Sequence, residues 1–495
     1  MDKKESSPIA NDNIKVLIAA SEAAPLAKTG GLADVIGSLP RYLIKQGVDA
    51  AVVMPKYRGI DLESVVVGEF PLPVGDKKVW GRIERTWLPE SEVPLYLIVQ
   101  NQYYGRSQIY GEEGQDYTDN LERFTFFCRA VLTLVTRGLV APHIIHANDW
   151  QTGLIPAYLK TLYADHPGAS AVKSLFTIHN LAYQGNFPPE ALSVTGIGEE
   201  HFHMGGLEFY RQLCLMKAGI EYADFINTVS RQYAAEIQTM EFGCGLEGVL
   251  RRRSACLTGI LNGVDYSSWS PDCDSLIHTA YTIDTAEKGK AENKRVLQKQ
   301  LGLPITEDRV PIIAVISRLA HQKGLDLLAE IVPELIKEGA QLAILGEGEP
   351  ALEEVFLYLQ KEYPQSCAVR IAYDNPLAHA IEAGADLFLM PSLYEPCGLN
   401  QMYSLRYGTI PIVRNTGGLA DTIADVNRNP NGNGFAFDRP EAEELYDACK
   451  RAMKYYKNKP AWNNLVRRAM SMDFSWNRAA ESYIALYEHI LNDRR

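Results

Sequence analysis

The sequence predicts an α/β protein with two parallel-sheet domains, and three observations lead to this fold class. Short apolar runs typical of buried strands alternate with amphipathic stretches typical of helices, which is the pattern of βαβ units. The alternation pauses after about residue 262 and starts again near residue 310. The length of 495 residues, of which 46% are hydrophobic, is enough for two or three domains that each bury a core.

The first half of the chain contains six strand patterns that end in turn residues. They lie at residues 15–20, 50–54, 95–99, 143–146, 174–178 and 225–229. Amphipathic stretches at residues 32–45 and 152–163 predict helices between them. We therefore predict a first parallel-sheet domain over residues 1–261.

The second half repeats the alternation with five further strand patterns. They lie at residues 311–316, 341–345, 368–373, 386–390 and 410–414. Residues 325–337 form a helical pattern after the first of them, whereas residues 262–286 have little periodicity and are typical of a connector. We therefore predict a second domain over residues 262–475.

The charge balance and the lengths of the apolar runs exclude several classes of protein. With 49 Lys and Arg against 61 Asp and Glu, the net charge is −12, and no clustered basic run offers a nucleic-acid footprint. No stretch has the roughly 18 consecutive apolar residues of a membrane helix, and the polar residues 1–13 resemble neither a signal nor a transit peptide. We predict a soluble, cytoplasmic protein.

The eight cysteines are far apart and form no C-x-x-C pair. This spacing favours reduced thiols over a zinc site or a disulfide framework, so we predict no metal.

One hexapeptide, Thr-Gly-Gly-Leu-Ala-Asp, occurs at residues 29–34 and again at residues 416–421. Each copy lies between a strand pattern and a helix pattern, where glycines let backbone N–H groups at a helix start approach an anion. A tight turn is the simpler explanation for either copy alone. Two copies, one in each predicted domain, favour a phosphorylated ligand.

Cations follow the first strand of each predicted sheet. Arg318 and Lys323 lie between strand pattern 311–316 and helix pattern 325–337, where a doubly wound sheet binds its ligands, and Lys28 precedes the first Gly-Gly pair. Arg binds phosphate oxygens bidentately and Lys adds a point charge, so these residues suit a diphosphate leaving group.

Further candidates follow other strands. Glu395 lies between a strand and Pro396, and could accept hydrogen bonds from sugar hydroxyls, although a carboxylate at a helix start is the alternative. Asp149 beside Trp150 suits a sugar, or caps a helix over a core ring. His179 could donate to a hydroxyl or satisfy a buried carbonyl.

Residues 346–351 match the dinucleotide pattern G-x-G-x-x-A. Glu347 and Glu349 would place negative charge beside a pyrophosphate, which opposes binding. We interpret this segment as a tight turn between a strand and a helix.

In seven motifs, the chain resembles the bacterial glycogen synthase and plant starch synthase family. These motifs are Lys28-Thr29-Gly30-Gly31-Leu32-Ala33-Asp34, the His-Ala-x-Asp-Trp segment at 146–150, His179-Asn180, Asn262-Gly263-Val264-Asp265, Ser317-Arg318-Leu319 with Gln322-Lys323-Gly324, Glu395-Pro396-Cys397-Gly398-Leu399, and Thr416-Gly417-Gly418-Leu419. The resemblance implies a GT-B fold, in which two Rossmann-like domains face each other across a cleft and a C-terminal helix at 476–495 completes the first. It also implies retaining transfer of glucose from ADP-glucose to the non-reducing end of an α-1,4-glucan, without metal or cofactor.

The resemblance implies roles for individual residues. Lys28, Gly30 and Gly31 would lie near the glucose or its phosphate, Arg318 and Lys323 would neutralise the diphosphate, and Tyr373 would lie near the adenine. His179, Asn262 and Glu395 would bind glucose hydroxyls, and Asp149 would lie on the acceptor side. The catalytic group would be Lys28, His179, Arg318, Lys323 and Glu395, and further substrate contacts would come from Asp34, Tyr104, Asn180, Gln322, Cys397, Gly398, Leu399, Thr416, Gly417 and Gly418.

The chain departs from related patterns at three positions. Tyr403 stands where many retaining transferases have a second glutamate, eight residues after Glu395; Gln151 and Asn400 replace a His and a Thr common in bacterial members. Two alternatives to a synthase remain open, a non-catalytic glucan-binding protein on the same fold and a nicotinamide-dependent oxidoreductase built on residues 346–351.

Overall fold

The computed structural model describes residues 14–112, 114–305 and 310–493, and these group into two compact units. The first unit comprises the described residues of Met1–Val229, Ala234–Gly263 and Trp476–Arg495; the second comprises those of Ser230–Tyr233 and Val264–Ser475. Asn262, which the predicted border assigns to the second domain, belongs to the first unit. The segment 1–13, predicted to be no targeting peptide, lies outside the described residues.

The first unit is an α/β structure. Its strands are β1 (Lys15–Ala19), β2 (Asp49–Pro55), β3 (Val65–Val74), β4 (Lys77–Trp87), β5 (Pro94–Val99), β6 (Gly111–Glu112), β7 (Gln115–Asp116), β8 (Ile144–Asn148), β9 (Lys173–Ile178), β10 (Asn186–Phe187), β11 (Glu208–Phe209), β12 (Gln212–Cys214), β13 (Phe225–Thr228) and β14 (Leu257–Gly259). Its helices before Gly263 are α1 (Gly31–Lys45), α2 (Asn101–Tyr104), α3 (Asn120–Thr136), α4 (Leu154–Lys160), α5 (Leu192–Thr195), α6 (Leu215–Tyr222), α8 (Glu247–Arg252) and the end of α7 (Arg231–Glu236).

The main sheet of this unit has the order β14-β13-β9-β8-β1-β2-β5-β4-β3. All neighbours from β14 to β5 pair in parallel, whereas β4 and β3 add an antiparallel edge. The six predicted strands are confirmed, but the antiparallel edge was not predicted. Pro71 and Pro73 interrupt the strand pattern of β3, and an edge strand tolerates proline because one row of its backbone groups is unpaired.

The second unit contains the strands β15 (Ile312–Ile316), β16 (Gln341–Leu345), β17 (Cys367–Arg370), β18 (Leu387–Met390), β19 (Ile410–Arg414) and β20 (Phe435–Phe437). They form one parallel sheet in the order β17-β16-β15-β18-β19-β20. Its helices are α9 (Ala286–Leu301), α10 (Leu325–Lys337), α11 (Pro350–Glu362), α12 (Asn375–Gly384), α13 (Asn400–Tyr407), α14 (Gly417–Thr422), α15 (Ala442–Tyr456) and α16 (Lys459–Met470). The predicted parallel α/β fold class is confirmed in both units.

The chain ends in α17 (Trp476–Asn492), which packs beside α1 in the first unit. Tyr487 of this helix hydrogen-bonds the buried ring of His146 at 2.9 Å, and the hydroxyl of Tyr483 accepts a hydrogen bond from Asn227 at 3.2 Å. His146 and Asn227 lie on β8 and β13, so the last helix completes the core over the β13-β9-β8 part of the sheet.

Both sheets have a point where the strand order reverses. β1 lies between β2 and β8, and β15 lies between β16 and β18. Successive connections leave these strands toward opposite sides, so the loops at their carboxyl ends diverge and leave room for a ligand.

None of the eight cysteines, all of which the structure describes, forms a disulfide. Among the residues that the structure describes, no helix combines the length and the apolar character needed to cross a membrane.

Candidate functional site

The first unit presents its candidate residues at one edge of the sheet. The strands β1, β8 and β9 are neighbours, and the loops after their carboxyl ends carry Lys28, Asp149 and His179 respectively. Parallel strands end at a common edge, so three segments distant in sequence meet there.

The turn before α1 exposes a cation and two glycines. Lys28 Nζ lies 2.7 Å from Asp34 Oδ1, and the two side chains are 43% and 29% exposed. A Cβ atom added to Gly30 or Gly31 would meet no atom of the other described residues within 4 Å, apart from adjacent residues and the backbone of α1. The start of α1 therefore faces open space, with a paired but accessible lysine beside it.

Asp149 has a strained backbone and a half-buried side chain. Its φ of 58° and ψ of 178° belong to a region that residues other than glycine rarely occupy. The carboxylate accepts the backbone N–H of His179 at 2.7 Å. Burial raises the pKa of Asp149 to about 7, although the N–H groups of His179 and Asn180 act in the opposite direction.

The ring of His179 has a defined tautomer. Asn148 donates through Nδ2 to the carbonyls of Ala19 and His146, so its Oδ1 is the acceptor for His179 Nε2 at 2.9 Å. Burial lowers the pKa of His179 to about 3, which keeps the ring neutral. The His179 ring therefore donates to a buried carbonyl oxygen, which is the second of the two alternatives that the sequence left open. A neutral ring protonated at Nε2 has an unprotonated Nδ1, so His179 offers a hydroxyl group an acceptor there.

Tyr104 was predicted to contact the substrate, and the structure shows that this prediction is wrong. The side chain is fully buried, and its hydroxyl donates to the backbone carbonyl of Arg123 at 2.7 Å. A substrate cannot reach this residue in the structure, so Tyr104 belongs to the core of the first unit.

Two predicted amide side chains have different surroundings. Asn180 Oδ1 accepts the N–H of Ala182 at 3.1 Å and shapes the loop after β9. Asn262 is 5% exposed, and its Oδ1 has no hydrogen-bond partner among the described residues. An unpaired buried acceptor is costly, and a ligand hydroxyl would remove that cost.

In the second unit, Lys323 and Glu395 form a pair at the carboxyl edge of the sheet. Lys323 Nζ lies 2.6 Å from Glu395 Oε2, which also accepts Ser392 Oγ at 3.0 Å. Gly324 makes this pairing possible, because a Cβ atom there would lie 2.1 Å from the carbonyl oxygen of Pro391. The φ of Gly324 is +61°, which also favours glycine.

Arg318 is the more accessible cation of this unit. It is exposed, and its Nη2 lies 3.4 Å from Gln322 Oε1. Gln322 in turn donates to the carbonyl of Tyr394 at 3.2 Å. Gln322 therefore connects the loop of Arg318 to the loop of Glu395.

The segment 346–351 supports this loop. Cβ atoms on Gly346 and Gly348 would lie 1.8 and 2.2 Å from the carbonyl oxygens of Ser317 and Leu319. Glu349 Oε1 also accepts the N–H of His321 at 2.9 Å. The glycines thus allow close backbone packing beside Arg318, as the interpretation of a tight turn predicts.

The glycines of the second hexapeptide are closely packed, unlike those of the first. Gly417 has a φ of +45°, and a Cβ atom on it would lie 2.0 Å from the carbonyl oxygen of Glu395. The N–H of Gly418 donates to the carbonyls of Glu395 and Pro396 at 3.1 and 3.2 Å. The prediction that the Gly418 amide contacts an anion is therefore wrong, because this N–H binds carbonyl oxygens of the Glu395 loop.

Other predicted residues surround that loop. Cys397 and Thr416 are buried, Gly398 has a φ of +70°, and Leu399 directly precedes α13. Gln401 donates to the carbonyls of Cys397 and Gly398 at 3.1 Å each. These contacts fix the loop on the C-terminal side of Glu395.

Two tyrosines, one of them at a predicted site position, have different environments. Tyr373 is 76% exposed and lies in the loop between β17 and α12. Tyr403, at the position of a second glutamate in related patterns, stacks on Trp269 with ring centroids 4.2 Å apart. This position serves aromatic packing in the present chain.

Comparison with known proteins agrees with these motifs. Residues 15–252 match the family model of the starch synthase catalytic domain, and residues 303–468 match that of glycosyl transferases group 1. The glycogen synthase of Syntrophotalea carbinolica is 45% identical over 479 residues, covering 96% of this chain and 98% of that protein. The chain belongs to the glycogen and starch synthase family.

A second relative and two solved structures also match almost the whole length of this chain. The glycogen synthase of Koribacter versatilis is 46% identical over 476 residues, covering 96% of this chain and 97% of the relative. The catalytic domain of starch synthase IV from Arabidopsis thaliana, solved with ADP and acarbose, is 33% identical with a TM-score of 0.88, covering 97% of this chain and 99% of that one. Sucrose-phosphate synthase from Thermosynechococcus elongatus, at 18% identity and a TM-score of 0.61 over 96% and 99% of the two chains, shares the fold.

The protein is therefore a glucosyltransferase of the glycogen and starch synthase type, with the GT-B class of fold. The two alternatives left open by the sequence, a glucan-binding protein without activity and a nicotinamide-dependent oxidoreductase, are not supported by these relatives.

Glu22 is a residue of this site that the sequence analysis missed. It follows β1 at the same sheet edge as Lys28, and it is buried against the turn before α1. The available signal was its position, since a carboxylate just after the first strand of a parallel sheet lies where ligands bind.

Proposed function

We propose that the chain transfers glucose from ADP-glucose to the non-reducing 4-hydroxyl of an α-1,4-glucan, with retention of the anomeric configuration and without a metal or cofactor. The observation that carries the proposal is the match over 97% of the chain to a starch synthase catalytic domain solved with ADP and acarbose. The cytoplasmic location stays a prediction from the sequence.

On the donor side, Arg318 and Lys323 bind the diphosphate. Both follow β15 at the point where the strand order reverses, and Arg318 is exposed. Charge-assisted hydrogen bonds from these cations grow stronger as the sugar–phosphate bond breaks and negative charge collects on the phosphate. Tyr373 lies near the adenine in this proposal, and its exposed ring is available for that contact.

On the sugar side, Glu395 and Asn262 accept hydrogen bonds from glucose hydroxyls. The Lys323 and Ser392 contacts of Glu395 both go to Oε2, and Asn262 Oδ1 has no partner among residues 14–112, 114–305 and 310–493. Lys28 and the start of α1 lie near the glucose or its phosphate, and Asp149 lies on the acceptor side.

The proposed reaction is a substitution on the front face of the sugar. The bond between the anomeric carbon and the phosphate oxygen breaks, the bond to the acceptor oxygen forms, and the acceptor proton passes to the departing phosphate oxygen. The carbonyl of His179 faces the anomeric centre. A double displacement would need a second carboxylate, and the position eight residues after Glu395 is Tyr403.

The test is glucose transfer by two variants, Arg318→Ala and Lys323→Ala. We expect each to lower kcat by about 10² or more, because contacts that strengthen in the transition state are lost. Lys337→Ala, which removes an exposed lysine at the other end of α10, is the matched control and should leave kcat unchanged.

The assay measures incorporation of labelled glucose into glycogen, with ADP-glucose and UDP-glucose supplied in separate reactions. Normal incorporation by both site variants would refute the role of the two cations. Equal or faster transfer from UDP-glucose would refute the choice of donor.

A further inference from the structure

Glu22 is a carboxylate inside the first unit. It lies three residues beyond the end of β1, and it is 3% exposed. A buried carboxylate is stable only where hydrogen-bond donors surround it, so its partners indicate what it holds in place.

Both oxygens of Glu22 bind the turn that carries Lys28. Oε2 accepts the backbone N–H of Thr29 at 2.5 Å and that of Gly30 at 3.4 Å, and Oε1 accepts the hydroxyl of Thr29 at 2.7 Å. Three donors of one turn therefore converge on a single side chain.

The fourth donor comes from a distant part of the chain. The hydroxyl of Tyr110 donates to Glu22 Oε1 at 2.5 Å. Tyr110 is itself fixed, because its hydroxyl lies 2.7 Å from Ser21 Oγ and its carbonyl accepts Asn120 Nδ2 at 2.9 Å. Asn120 is the first residue of α3, so Glu22 connects the turn to a long buried helix.

The turn needs this support. Lys28, Thr29, Gly30 and Gly31 are all exposed, and two adjacent glycines have more conformational freedom than any other pair. Fixing such a segment costs conformational entropy, and a ligand that had to fix it would bind less tightly.

We infer that Glu22 is a positioning residue that holds the Lys28–Gly31 turn in its binding conformation before the donor arrives. This inference rests on the proposed donor role of that turn. If the competent conformation fell to about a tenth of the molecules without Glu22, the apparent affinity for the donor would fall about tenfold.

The test uses Glu22→Gln, which keeps the size of the side chain but replaces one acceptor oxygen by an NH₂ group. We expect the KM for ADP-glucose and the Kd for ADP, measured by calorimetry, to rise about tenfold, because the turn must then be ordered by the ligand. The kcat at saturating donor should stay within about threefold, and the KM for glycogen should not change. Tyr110→Phe, which removes one donor, should shift the same constants in the same direction by less.

Glu84→Gln is the matched control. Glu84 is equally buried in the first unit, where it pairs with Lys56 at 2.8 Å and accepts Ser64 Oγ at 2.8 Å. This variant should lose thermal stability and keep the donor KM and the ADP Kd of the unchanged protein.

Three results would overturn the inference. They are an unchanged KM and Kd in folded Glu22→Gln, a fall in kcat with no change in KM, and an equal rise in KM for Glu84→Gln. If Glu22→Gln does not fold, Tyr110→Phe decides by the same constants. Failure of the unchanged protein to bind ADP would instead refute the proposed donor, so the two failures are distinguishable.

Discussion

Asp149 shows how a single residue can hold strain at the site. Its backbone conformation is one that glycine adopts freely, and its carboxylate accepts the N–H of His179 across the edge of the sheet. The hydrogen bond offsets part of the cost of this conformation. Strained residues of this kind concentrate at functional sites, which agrees with the acceptor-side role proposed for Asp149.

Two variants separate the strain from the carboxylate. Both Asp149→Gly and Asp149→Ala lose the hydrogen bond to His179, but only glycine accepts a φ of 58° without strain. We expect Asp149→Gly to be more stable than Asp149→Ala by about 1–3 kcal/mol in urea unfolding. Equal stability of the two variants would show that the backbone is not strained there.

Glu382 on α12 makes a pH-dependent contribution to stability. Burial raises its pKa to about 8, while the hydrogen bond from Ser404 and the charge of Lys290 act in the opposite direction. Between the ordinary carboxyl pKa and about 8, the folded protein holds a proton that the unfolded chain has released. The contribution of this group to stability therefore falls as pH rises through that window.

Glu382→Gln isolates this effect, because the variant keeps a hydrogen-bonding side chain but cannot ionise. Relative to the unchanged protein, we expect the variant to gain up to about 1.4 kcal/mol of unfolding free energy per pH unit between pH 5 and pH 8. Urea titrations at three pH values measure the difference. A difference that stays constant with pH would contradict the raised pKa.

At the scale of elements, the repeated hexapeptide shows that identical local sequence can perform different tasks. In the first copy, Gly30 and Gly31 face open space at the start of a 15-residue helix. In the second copy, Gly417 and Gly418 lie against the backbone of the Glu395 loop at the start of a six-residue helix. The contacts, and not the sequence, distinguish a ligand-facing turn from a packing turn.

Alanine at one position of each copy tests this difference. Gly31→Ala should keep the unfolding free energy within about 1 kcal/mol of the unchanged protein, because its Cβ atom would meet no distant part of the described chain within 4 Å. Gly418→Ala should lose about 1–3 kcal/mol, because its Cβ atom would lie 2.0 Å from the carbonyl oxygen of Cys397. Thermal and urea unfolding of both variants measure the contrast, and equal losses would refute it.

At the scale of the whole molecule, each unit has a core of its own, and the first is assembled from separate parts of the chain. Tyr487 of the last helix is buried in the first unit against His146. Tyr456 is buried in the second unit, where its hydroxyl accepts a hydrogen bond from Lys294 at 3.0 Å. These two tyrosines are matched probes of the two cores.

We expect Tyr487→Ala to speed amide hydrogen exchange in β8 and β13, and Tyr456→Ala to speed it in β15 and β18. Removing a large buried aromatic side chain costs about 3–5 kcal/mol, and local opening follows the stability of the unit that contains it. Mass spectrometry of exchanged fragments gives the measurement. Faster exchange in both units from either variant would show that the two cores unfold as one.

Local sequence predicted most of the framework. Strand and helix periodicity identified all the parallel strands of the first unit except the three-residue β14, and it placed Lys28, Asp149, His179, Arg318 and Glu395 in loops at strand ends. Periodicity depends on neighbours along the chain, so it can be read without coordinates. The antiparallel edge was not predicted because the prolines of β3 disrupt its local strand pattern. An edge strand nevertheless tolerates these prolines.

The amino-acid order was sufficient for the fold class, the family and the positions of the charged residues, because these depend on local patterns and motifs. Only the tertiary structure decided which partner each residue meets. Tyr110 reaches Glu22 across 88 positions, Tyr104 lies in the core and Gly418 packs against the Glu395 loop. Burial and hydrogen bonds arise where distant segments approach each other, so they become visible only when the chain is folded.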